Sequence, residues 1–306
     1  MTNQSKLQES IRTITGTTND YNGDWHALFD FYSITAGEFN GRMIEWLQSA
    51  LNSTETDLDC LKQLYADSLG AYNWNSVNTV GHALPNQQLR LDASQTDTIT
   101  DSNGNVTAWA DKSGNGNHSS LTAGTPSTGD STENGLNIID FSGVDQMSLP
   151  SALYTIPNGN NTMFVVSKRV EEDGTVDATL GASTGAQNEF FHVYSFVSGT
   201  QSFTNRSGSG GSVSSTGNTN TSLNIAQMLR AGTTQSISVN GETPVTNLGA
   251  SSSATIDDFF IGSGGSSTLG LNGSIGEIII YDTNLTSNVI MTVNMYLADK
   301  WGVTLA

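Results

Sequence analysis

The sequence predicts a mainly β fold, a sandwich or jelly roll over residues 81–306, preceded by a small α-helical module in residues 1–80 and closed by a C-terminal helix. Three observations predict it. Helical apolar periodicity is confined to residues 1–80 and to about 287–301. Between them, short apolar or alternating stretches recur at close intervals, separated by Gly, Asn, Ser and Thr. Two Asn-Gly pairs, Asn103-Gly104 and Asn240-Gly241, sit between such stretches, and Asn-Gly suits the positive φ angles of a tight hairpin.

In the first segment, Ser5 can cap a helix with Leu7, Ile11 and Ile14 on one face. A second helix is expected over 36–51, where Phe39, Met43, Trp46, Leu47 and Ala50 form a stripe. A third is expected over 56–69, with Leu58, Leu61, Leu64, Tyr65 and Leu69 on its buried side. Asp57 and Asp59 sit in its first turn, where the helix dipole favours negative charge, and Gly70 is placed to end it. So short a segment buries little core, so docking or self-association is expected of it. Trp25, Leu28, Phe29 and Phe31 read as its hydrophobic anchors, and His26 as a surface or capping residue. Tyr72 and Trp74 either pack the two segments together or dock on a partner.

In the second segment, strands are expected over 89–91, 106–109, 136–141, 146–149, 162–168, 190–197, 222–230, 236–239, 259–262 and 274–281. No repeat of fixed period points to a propeller or solenoid. Residues 207–220 are Gly, Ser, Thr and Asn with almost nothing apolar and read as a long loop.

Composition excludes several classes. With 29 acidic and 11 basic residues the formal charge is −18, which argues against nucleic acid or an anionic membrane as partner. A lone cysteine, Cys60, allows neither an internal disulfide nor a thiolate zinc site. No apolar run is long enough for a membrane span. The polar start, Met1 to Lys6, does not read as a secretion signal, so synthesis and folding in a cytoplasm are expected.

Two constellations can carry chemistry. In Asp111-Lys112-Ser113-Gly114-Asn115-Gly116-Asn117-His118, the side chains of Asp111, Asn115 and Asn117 can supply oxygen ligands to Ca²⁺ or hydrogen bonds to a sugar. The favoured reading is plainer: Asp and Asn bond their own backbone in turns. Residues 101–105 resemble the start of a calcium loop, but Lys112 stands where such a loop needs Glu. No cofactor is therefore expected, with Ca²⁺ the one candidate. Along 190–197, alternation puts Phe190, His192, Tyr194 and Phe196 on one face, where aromatic rings can stack on a sugar. The other reading makes that face the core. His26, His82, His118 and His192 are scattered, without a nucleophile motif beside them.

Three patterns resemble one family. They are 89–94 with Val106-Thr107-Ala108-Trp109-Ala110-Asp111 and its following loop; Ile139-Asp140-Phe141-Ser142-Gly143 leading to Met147 and Leu149; and 271–282 followed by Tyr296-Leu297-Ala298-Asp299-Lys300-Trp301-Gly302. In this order they resemble the concanavalin A-like, laminin-G-like jelly-roll domains of bacterial and viral surface proteins, over about 85–306. Residues 10–17, 24–30, 39–42 and 70–74 resemble a small N-terminal module of tailed-bacteriophage structural proteins. The resemblance implies a virion component, a tail fibre or head appendage. Its helical module would anchor it to other virion proteins through Trp25, Phe29, Trp46, Tyr72 and Trp74, and its lectin-like domain would recognise a host-surface glycan. It also implies a homo-oligomer, expected to be a trimer. Capsid decoration or a head fibre without a ligand is one alternative, and a glycan depolymerase of the same fold is another. Glycoside hydrolases of this fold carry alternating carboxylates on one strand. Glu171-Glu172-Asp173 is adjacent rather than alternating, and Glu277 stands alone with Asp282 at its strand's end, so no enzyme is expected.

Overall fold

A computed structural model of the chain describes residues 86–170, 176–183, 188–194, 200–205, 212–215, 221–248, 255–264 and 269–306. The chain divides into two compact units: Met1–His82 with Ser287–Met291, and Ala83–Thr286 with Thr292–Ala306. The helical module expected over 1–80 lies outside the described residues, and with it Trp25, Phe29, Trp46, Tyr72 and Trp74.

The described part is a sandwich of antiparallel strands with one C-terminal helix, α1 (Ser287–Trp301). The early strands are β1 (Gln87–Asp92), β2 (Ile99–Ser102), β3 (Asn105–Trp109), β4 (Ser119–Ala123), β5 (Ser127–Glu133) and β6 (Leu136–Ser142). Next come β7 (Gln146–Ser148), β8 (Asn161–Arg169), β9 (Asp177–Ser183), β10 (Asn188–Tyr194), β11 (Gln201–Asn205) and β12 (Ser212–Ser214). The last are β13 (Asn224–Ala231), β14 (Thr234–Val239), β15 (Val245–Leu248), β16 (Asp258–Ile261) and β17 (Asn272–Tyr281).

One sheet centres on β17. One edge of β17 pairs with β8, and β13, β14 and β15 continue outward from there. Its other edge pairs first with β6 (Ile275↔Ile139) and then with β1 (Leu91↔Ile278). The pairing shifts between Ile275 and Glu277, so Gly276 is an extra residue there. The second sheet runs β12–β11–β10–β9–β16–β7–β4–β3–β2. β3 also bridges to β5 through Asn105↔Ser127, which joins the sheets.

Alternation places Leu89, Leu91, Met163, Val165, Ile278 and Ile280 of the first sheet inward. Trp109, Met147, Leu180, Phe203, Phe259 and Ile261 of the second meet them in one core. β17 and β8 are buried on both faces, which explains their nearly continuous apolar runs. On the far face of the first sheet, Phe164 and Tyr281 meet edge to face with centroids 6.4 Å apart. Val293, Leu297 and Trp301 of α1 recur every four residues and are buried, so they form its apolar stripe. The helix ends at Gly302, whose φ of 69° is left-handed, and the N–H groups of Gly302 and Val303 both donate to the Ala298 carbonyl.

The Asn103-Gly104 hairpin is present between β2 and β3, with φ of 54° and 83°. Asn134-Gly135 makes the same turn between β5 and β6, at 50° and 73°. Asn240-Gly241 opens a longer connection from β14 to β15. The stretch 207–220, expected as loop, contains β12, which pairs with β11; the rest of it lies outside the described residues apart from Ser215. The strand expected over 190–197 runs Asn188–Tyr194, and Phe196 lies outside the described residues.

Candidate functional site

The Asp111 loop is closed on itself. Asp111 Oδ1 accepts the backbone N–H of Arg90 and of Ser113, at 2.9 and 2.8 Å. Its Oδ2 accepts the Ser113 hydroxyl at 2.7 Å and the Asn117 N–H at 2.9 Å. Asn115 and Asn117 donate their amides to the carbonyls of Gln87 and Gln88, and the Asp111 N–H donates to His118 Nδ1. The three proposed ligand residues thus fasten the loop to β1. Among the described residues, no group of three or more His, Cys, Asp or Glu is placed to hold a metal ion.

His192 faces the core rather than an open surface. It pairs across β10 and β11 with Phe203, a core residue, and is fully buried. Its ring shares hydrogen bonds with the Thr179 hydroxyl through Nδ1 and with Gln201 Oε1 through Nε2, the latter at 3.1 Å. Burial pushes it down to about 4, only partly offset by the Gln201 bond. His192 itself is thus interior and is not available for stacking on a ligand. Phe190 and Tyr194 are placed only by backbone register, opposite Asn205 and Gln201.

The strongest polar cluster was not legible in the sequence. Asp92 of β1 and Glu277 of β17 are direct cross-strand neighbours on the outer face of the first sheet. The last turns of α1 close over them. Arg90 Nε donates to Glu277 Oε1 at 2.9 Å, and Lys300 Nζ reaches Glu277 at 2.7 Å and Asp92 at 2.6 Å. Tyr296 Oη and Trp301 Nε1 also donate to Glu277, at 3.1 and 3.0 Å. The Glu277 side chain has 0% exposure and that of Asp92 has 3%. Burial alone would raise Glu277, but the charges of Arg90 and Lys300 outweigh it and hold the carboxyl below its usual value. Asp92 is raised, by burial and then by Glu277. Burial and Glu277 likewise raise the Tyr296 phenol. Two carboxylates with opposed shifts are what an acid–base pair requires. Here the space around them is filled by Tyr296, Lys300 and Trp301, so the arrangement locks α1 onto β1 and β17.

The outer face of the second sheet is open. Register aligns one residue per strand along it: Thr100↔Ala108, Ala108↔Ser120, Ser120↔Ser148, Ser148↔Phe260 and Phe260↔Gly181. Their neighbours Trp109, Met147, Phe259, Ile261 and Leu180 point into the core, so this row points away from it. Thr100 and Ser120 are exposed, and Ala108, Ser148 and Phe260 are half-buried. Ser120 and Ser148 share a hydroxyl–hydroxyl bond of 3.2 Å. The row ends at a wall: a Cβ on Gly181 would lie 2.4 Å from the Gly264 Cα, so the chain after β16 folds directly over it. Asp258 lies two residues before Phe260 on the same strand face. Tyr154 stands close by: partial burial first, then the carboxylates of Asp258 and Asp257, raise its phenol.

No protein-family model and no curated protein matches the sequence. Among solved structures, Trypanosoma rangeli sialidase in complex with sialic acid is similar, with a TM-score of 0.52 at 15% identity. The match covers 78% of this chain and 39% of that one. The same sialidase with the inhibitor DANA gives 0.52 at 16%, covering 76% and 38%. Domain 4 of AbnA, a GH43 extracellular arabinanase from Geobacillus stearothermophilus, in complex with arabinotriose, gives 0.49 at 15%, covering 68% and 98%. This chain thus spans about two fifths of the sialidase. At these identities the likeness is one of fold.

Proposed function

We propose that residues 81–306 form a non-catalytic sugar-binding sandwich that takes its ligand on the outer face of the second sheet. The observation that carries this is the register row Thr100–Ala108–Ser120–Ser148–Phe260, a shallow strip of hydroxyls and one aromatic ring bounded by the wall at Gly264. A pyranose has an apolar face suited to a ring such as Phe260, and hydroxyls that exchange hydrogen bonds with Ser and Asp. The enclosure of Asp92 and Glu277 supports binding over hydrolysis, since a glycosidic bond must reach both carboxylates.

The test is a polysaccharide array probed with the full chain and with Phe260→Ala, alongside an assay for released reducing ends. Binding that is lost in Phe260→Ala without reducing-end release supports the proposal. Reducing-end release would overturn the non-catalytic part, and binding indifferent to Phe260→Ala would overturn the site.

The finer setting is a tailed-bacteriophage virion, with residues 1–80 anchoring the sandwich to tail or head. It rests on the sequence resemblance of that segment. Incorporation into particles of a chain lacking residues 1–80 would refute the anchoring role.

A further inference from the structure

The charge around the open face narrows the ligand. None of the strands carrying the row, β2, β3, β4, β7, β16 and β9, contains a Lys or Arg. The described cations are elsewhere. Arg90 and Lys300 are held by Asp92 and Glu277, and Lys168 pairs with Glu133. Arg169 is buried, and Arg230 is buried while donating to the carbonyls of Pro157 and Gly232. Lys112 belongs to the loop that packs on β1. At the walled end of the row stands Asp258 instead, on the same strand face as Phe260, with Asp257 the residue before it.

Recognition of a sugar carboxylate or sulfate ordinarily needs a cation, most often Arg in a bidentate pair. A face that offers carboxylates repels such a group, and the net charge of −18 extends the repulsion to an approaching polyanion. Carboxylates accept hydrogen bonds well from neutral hydroxyls. We propose that the ligand of this face is an uncharged oligosaccharide, and that sialic acids, uronic acids and sulfated sugars are refused. This rests on the site assigned above.

The experiment uses matched probes on the full chain: lactose against 3′-sialyllactose, and galactotriose against trigalacturonic acid. It is run on the wild type, on Phe260→Ala, and on the doubly neutralised Asp257→Asn/Asp258→Asn, each checked for an unchanged melt. The neutral member of a pair is expected to bind at least about tenfold tighter, with the gap narrowing in the neutralised variant and in high salt. Acidic members binding as tightly as neutral ones, and losing that binding in Phe260→Ala, would overturn the neutrality inference while leaving the site intact. Absence of binding to every probe, or binding untouched by Phe260→Ala, would overturn the site and the inference with it.

Discussion

Trp301 lies against Gly276, where an added Cβ would come within 3.0 Å of its ring, and its indole N–H donates to the adjacent Glu277 at 3.0 Å. One side chain thus reads both the missing Cβ of the bulge and the carboxylate beside it. The surrounding charges balance, with Asp92 and Glu277 against Arg90 and Lys300. A buried charge is tolerable only when so paired.

Glu277→Gln is therefore expected to cost about 3–5 kcal/mol, measured by urea unfolding, because Arg90 and Lys300 lose one of the two carboxylates they share. Arg90→Met should cost less in the Glu277→Gln background than in the wild type, which a double-mutant cycle would register as coupling. Additive losses would mean that the two do not act together. The Glu277 carboxyl is lowered in the folded state, so its contribution is present above about pH 4.5 and is lost as pH falls through the folded value.

His192 acts in a separate pH window. Its folded value of about 4 lies below the unfolded 6.5, so the unfolded chain takes up the proton first as pH falls. Stability should decline between those values by about 3 kcal/mol and then level off with respect to this group. His192→Asn should flatten that part of the profile. An unchanged slope would show that another group carries it.

Gly181→Val should displace the chain at Ser263 and Gly264, whose backbone atoms lie 2.4 Å from where the new Cβ would stand. Loss of the wall should lower the melting temperature. Limited proteolysis is expected to cut the variant, and not the wild type, near Gly264.

Asp111→Asn places an amide where four donors converge, and is expected to cost about 1–3 kcal/mol. Chelator should leave the wild-type melting temperature unchanged, because both carboxylate oxygens are already occupied by protein donors. A drop with chelator that calcium restores would reinstate the loop as a metal site.

Strands with their own apolar signal, such as β8 and β17, were legible in the sequence, as was the return to a helical pattern over α1. β5, with sequence Ser-Thr-Gly-Asp-Ser-Thr-Glu, was not, because its strand character comes from pairing with β6 rather than from alternation. β9 was hidden for a different reason: its small residues suit a strand buried on both faces, with Gly181 under a crossing chain. The open row could not be read either. It takes one unremarkable residue from each of several strands, and only their register aligns them. Glu277 looked solitary because its partners lie on β1 and α1, and nothing local marks them.

The bond from Arg90 to Glu277 spans 187 residues, and that from Arg90 to Tyr296 spans 206. The two sheets can collapse around their apolar core while Arg90, Asp92 and Glu277 remain hydrated. Only the arrival of the last turns of α1 makes their burial favourable. Contacts of such sequence separation are typical of slowly folding sandwich topologies. The helix is thus a clasp whose own contacts with β17 are local in sequence, while the guanidinium it helps to enclose, that of Arg90, comes from the distant first strand.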